Sequence, residues 1–168
     1  DLQELNDDQI EKKRDSIESH KEQIAVLFDE SKKLGEGLMA SLKSTEKDQV
    51  EQTKKMSTLE GYDFTFNKQI KDLVSESRFY EDNDHCPTCD QDISTDLKEV
   101  KQSDIKNKAS ELQQAKSDLQ KSIEQLRAEQ RENANLLNQL RQKQEKINRN
   151  NDTIGVHQGE ITKIQKEI

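Results

Sequence analysis

Tryptophan is absent from this 168-residue sequence, proline occurs once, and there are only two cysteines and five glycines. Hydrophobic residues make up 29% of the chain and aromatic ones 4%. A compact core needs more apolar side chains than that, and a succession of tight turns needs more Pro and Gly, so an ordinary globular domain is excluded. No apolar run is long enough to cross a bilayer, and no signal peptide is evident. Two cysteines three positions apart are no staple framework, which points to a reducing, cytoplasmic setting (the host cytoplasm if the source is viral). A Gly-rich phosphate loop is missing too, so any nucleotide site lies outside this sequence.

Charge is what the sequence has in abundance. Charged residues make up 37%, with 35 acids against 27 Lys and Arg, for a net charge of −8. Lys and Arg are scattered between acids, which suits a solvated helix surface and argues against a large nucleic-acid footprint. Such a composition leaves disorder or long helices with a thin apolar seam. The sequence starts at Asp1 without Met and stops mid-pattern at Ile168, so the expectation is a segment of something larger.

Periodicity decides for helices. Taking every seventh residue from Ile10 gives Ile10, Ile17, Ile24, Ser31, Leu38, Thr45, Gln52, Leu59, Phe66, Leu73 and Tyr80, eight of eleven apolar. A companion row four residues on is half filled. Phe28, Leu42, Met56 and Ile70 are apolar, while Lys21, Gly35, Gln49 and Asp63 are not. Thr45, Gln49 and Gln52 leave a poor stretch in the middle. In the second half, nine of ten are apolar in the row Ile105, Leu112, Leu119, Leu126, Asn133, Leu140, Ile147, Ile154, Ile161 and Ile168. A seven-residue period held this long predicts left-handed coiled coil. Gly61, Gly155 and Gly159 read as local weak points in the arms, and Gly35 falls on the seam.

Between the two tracts the pattern lapses, over Glu81 to Ile93, and the only Pro lies there. Ser94 or Thr95 suits the N-cap of a returning helix, with Asp96 and Glu99 at its positive end. Eighty-five residues precede Cys86 and seventy-nine follow Cys89. Two nearly equal helices would bury both seams by folding back on each other. The expected fold is therefore all-α: a long antiparallel intramolecular coiled-coil hairpin, ascending over 1–82, turning over 83–94 and descending over 95–168. Each arm would run roughly 120 Å.

Cys86-Pro87-Thr88-Cys89 stands at the turn. Two thiols at this spacing can grip one metal ion from the same side, and thiolates favour zinc, which takes four ligands in structural sites. This chain supplies two. His85 is adjacent to Cys86 and poorly placed for the same ion, while His20 and His157 lie far down the arms. A second copy meeting this one turn to turn would complete a Cys₄ set, with Cys86 and Cys89 from each chain sharing one zinc. Three other readings remain: a coiled-coil spacer with incidental cysteines, a local disulfide, and a thiol–disulfide redox centre. The last lacks the βαβ setting that chemistry expects.

With Cys86-Pro87-Thr88-Cys89 followed by a short polar stretch and a capped helix, the chain resembles the zinc hook of SbcC-type (Rad-fifty-like) SMC-like ATPases. These are subunits of the recombination and double-strand-break repair nuclease complex. Phe79-Tyr80-Glu81 is similar to phage versions of the subunit. The resemblance implies that Cys86 and Cys89 are zinc ligands and that the hook pairs with a second copy. It implies ABC-type ATPase halves, with their ATP and Mg²⁺, in missing parts of a longer parent. A metal-dependent nuclease subunit and DNA would be that parent's partners, with no membrane. No catalytic residue carries over, so the segment itself is expected to be no enzyme.

Overall fold

A computed structural model describes residues 2–168, with nothing to be said of the Leu2 side chain. The chain is helical almost throughout. Its elements are α1 (Leu2–Gly35), α2 (Leu38–Asp82) and α3 (Thr95–Glu167). No strand occurs among the described residues, apart from one isolated bridge between His85 and Asp92. No helix is long and apolar enough to cross a membrane.

Two compact units divide the chain, one made of residues up to Asp48 with Asn133–Ile168, the other of Gln49–Glu132. In the first, α1 and the start of α2 lie against the second half of α3. Cross-helix partners descend on α3 as they ascend on α1 and α2. Lys13 meets Glu167, His20 meets His157, Glu30 meets Asn150, and the Thr45 carbonyl accepts from Asn133. That order is antiparallel pairing. The second unit is a helical hairpin by itself: the rest of α2 runs against the first half of α3, with Lys116 on Asn67 and Gln102 on Ser77.

The heptad rows become the seam. Every residue of the row Ile10 to Tyr80 is at least half-buried, and so is every residue from Ile105 to Ile161. Ile168 is exposed. The core is thin: Ile17, Leu38, Met56, Ile105, Leu119, Leu126, Leu137 and Leu140 are its buried apolar members. Two polar residues are buried with them, and both are satisfied. Thr45 donates to the Ser41 carbonyl at 2.7 Å, and Asn150 donates to Glu30 and Ser31 at 3.0 and 3.1 Å. Lys146 also reaches Glu30, and these two donors hold its carboxyl below the usual range, Lys146 foremost.

Two expectations need correcting. The ascending arm, expected as one helix over 1–82, is interrupted at Glu36–Gly37. Gly37 has φ +67°, a left-handed conformation that a Cβ disfavours, and its carbonyl accepts the first bond of α2 from Ser41 at 2.9 Å. The companion row also changes side at this joint. Before it, the half-buried partners lie three residues on from the main row, at Lys13, His20, Leu27 and Leu34; after it they lie four on, at Leu42, Met56 and Ile70. Phe28, assigned to the seam by its spacing, is therefore on the outside at 65% exposure. Across the interruption the withdrawn positions are spaced four and four, from Leu34 through Leu38 to Leu42, in place of alternating three and four. Gly61, Gly155 and Gly159 each lie inside a continuous helix.

Candidate metal centre

Residues 83–94 join α2 to α3. The Asn83 side-chain amide donates back to the Phe79 carbonyl at 2.8 Å, satisfying one of the orphan acceptors at the end of α2. The chain then forms a miniature ribbon. Ile93 N–H donates to the Asp84 carbonyl and Cys86 N–H to the Gln91 carbonyl, both at 2.8 Å. His85 and Asp92 face each other across it. Ser94 caps α3, accepting from Leu97 N–H at 3.2 Å. Lys98 on the first turn of α3 holds Asp84 at 2.6 Å. The ribbon is thus tied to both helices.

Cys86-Pro87-Thr88-Cys89 turns at its end, closed by Asp90 N–H donating to the Cys86 carbonyl at 2.8 Å. Pro87 sits where no amide donor is needed. Asp90 takes φ +57°, a left-handed state that short polar side chains tolerate better than most. This tight geometry brings the amides of Thr88 and Cys89 onto the Cys86 thiol. They draw it below the ordinary thiol range, Thr88 foremost, with the Cys89 side chain contributing as well. Hydrogen bonds from backbone N–H groups stabilise the thiolate, the form in which sulfur binds metals or attacks disulfides. Both cysteines are free thiols, Cys86 half-buried and Cys89 exposed.

The remaining candidate ligands are engaged elsewhere. His85 Nε2 lies 2.8 Å from Asp92 Oδ1 across the ribbon. His20 and His157 meet each other in the other unit, Nδ1 to Nδ1 at 2.8 Å. Among the described residues no group of three or more His, Cys, Asp or Glu is gathered as a metal cluster would require. Among the described residues, the turn brings together one pair of sulfur donors, Cys86 and Cys89.

Sequence reasoning missed the supports of this turn: Asp90 in its left-handed state, Asp92 holding His85, and Lys98 holding Asp84. Only Asp90 left a signal, because Asp after a Cys-x-x-Cys turn is a residue that accepts positive φ. No protein-family model, curated protein or solved structure matches the chain.

Proposed function

We propose that this chain is a zinc-mediated dimerisation and tethering module, the hook-bearing coiled coil of an SbcC-type ATPase subunit in a DNA recombination and repair nuclease complex. One observation carries the reading. A Cys-x-x-Cys turn, its first thiol drawn toward the thiolate, stands between α2 and α3, and its two thiols would make half of the four-ligand set a structural zinc takes. The donor set fits zinc, because both are soft thiols in one tight turn. Cys86 and Cys89 of a second copy would supply the other two positions. A zinc held by four thiolates supplies a structural cross-link with no position open for catalysis. The arms would hold the parent's ATPase heads, and the nuclease subunit and DNA they serve, at a distance from the link.

The test measures zinc per chain together with solution mass, with and without chelator. The expected outcome is one zinc per two chains and reversion to monomer on chelation, because ligating thiolates and the metal are lost together. One zinc per monomer, with mass unaffected by chelator, overturns the shared site. No zinc leaves a spacer with incidental cysteines. Rapid reaction of Cys86 with a disulfide substrate in zinc-containing buffer would instead favour the redox reading.

A further inference from the structure

His20 and His157, 137 positions apart in sequence, meet across the α1–α3 seam. Their Nδ1 atoms are 2.8 Å apart and their ring centroids 5.0 Å, with the planes tilted by 52°. The centroid separation exceeds the nitrogen separation by 5.0 − 2.8 = 2.2 Å, close to one ring radius on each side. The two nitrogens therefore lie near the line between the rings and point at each other. That is hydrogen-bond geometry, with room for a single hydrogen between them. One ring must be the Nδ1–H tautomer and the other bare at Nδ1.

We propose that this pair is a proton-operated latch on the helix pair, closed while one hydrogen lies between the rings and released when both rings are charged. A first added proton goes to the outward Nε2 of the donor ring. The Nδ1–H···Nδ1 bond survives and becomes charge-assisted. A second proton has only the acceptor's Nδ1 to occupy. Two N–H groups then face each other with no acceptor, on two cations in contact, and the rings must part.

The surroundings convert that parting into an opened seam. Both histidines occupy seam positions, between Ile17 and Ile24 on α1 and between Ile154 and Ile161 on α3, all withdrawn from solvent. The charged neighbours do not neutralise two cations. On α3, Glu160 is bound by Lys163 at 2.6 Å, and of the influences on its carboxyl that of His20 is the smallest. On α1, Glu18 and Lys21 pair with each other, and Lys13 reaches Glu167. The sign follows. The parted rings bind two protons and the closed pair binds one, so the contact strengthens as pH rises and is lost on acidification.

The experiment uses the full chain and the double variant His20→Leu/His157→Leu, which places apolar side chains at both seam positions. Nitrogen-15 spectra of the wild-type imidazoles at pH 8 should show one Nδ1–H ring and one Nε2–H ring for this pair, with His85 assigned by substitution. Amide protection factors at pH 8 and pH 5 should then fall about tenfold or more over 13–27 and 150–164 in wild type, with no comparable fall in the variant. Two Nε2–H rings at pH 8 overturn the proposal. So does an equal loss of protection in both proteins, or no loss in either.

Discussion

The same substitution, Gly→Ala, should have opposite effects at two positions of this chain. At neither Gly37 nor Gly155 would an added Cβ meet any atom within 4 Å, so packing drops out of the comparison and only the backbone remains. Gly155 is inside α3 with ordinary helical geometry, where Ala is favoured over Gly by about 1 kcal/mol. Gly37 has φ +67°, where a Cβ costs roughly 1–2 kcal/mol, partly offset by the stiffer unfolded chain that Ala brings. For a chain of this length, one kcal/mol moves Tm by about 2–4 °C. Gly155→Ala should therefore raise Tm by about 3 °C and Gly37→Ala lower it by a similar amount. Calorimetric melts at matched concentration and zinc content read both values. Amide exchange over 30–45 adds a local measure, because long helical arrays need not melt in two states. A Gly37→Ala variant that gains as much stability as Gly155→Ala would refute the joint. Residue 37 would then lie in a right-handed helix, and α1 and α2 would be one.

Other outcomes follow from the same geometry. Cys86→Ser or Cys89→Ser should abolish the zinc-dependent dimer while the circular dichroism of the arms stays unchanged, since the seam does not use the metal; loss of helicity would give the turn a folding role. Asn133→Leu, filling the polar gap in the descending row, should raise Tm by about 1 °C or more at the expense of register specificity, and a lower Tm would show that its bond to the Thr45 carbonyl outweighs apolar packing. Acidification should remove the Glu30 contribution as pH falls through and below its depressed folded value, under the usual carboxylate range of about 4.3, and Glu30→Gln should erase that step in a pH-dependent melt series. Raising ionic strength should tighten association of the zinc-loaded hooks, whereas tightening on salt removal would mean that attractive ion pairs dominate.

The rows of sevens were legible because a single face had to stay apolar along each arm. The companion row was not. Phe28 is larger and more apolar than its surroundings, and spacing alone set it above Leu27 and Leu34, which the structure withdraws from solvent instead. The interruption at Gly37 hid for a related reason. The main row keeps its period through Ser31, Leu38 and Thr45, so nothing in it betrays that the helix stops and restarts with its partner row displaced. The turn between α2 and α3 could be read from the lapse of the heptads and from Pro87, features that are local in the sequence. Its supports, Asp84 on Lys98 and His85 on Asp92, depend on how the ribbon closes in space. The His20–His157 contact was in principle readable, because residues equidistant from the turn meet in an antiparallel pair, but it needed the register to within one residue.

What the hook turn lacks bears on how it could associate. Between Asn83 and Ser94 the apolar side chains are Pro87, Ile93 and the two cysteines, and Ile93 is already half-buried against its own chain. There is little apolar surface left to remove from water, so a partner gains almost nothing from the hydrophobic effect there. Charge opposes a second copy as well. Glu81, Asp82, Asp84, Asp90, Asp92 and Asp96 crowd the segment with no Lys or Arg among them, and only Lys98, from the next turn, neutralises Asp84. On the proposed reading the thiolate–metal bonds must overcome that repulsion nearly alone. Association would then rise steeply with free zinc and fall with acid, which protonates the ligands. It would also gain from anything that holds the far ends of two arms together, because that raises the local concentration of one hook at another without adding a contact. A joint of this kind is conditional by construction: closed when metal and tethering coincide, open when either is withdrawn.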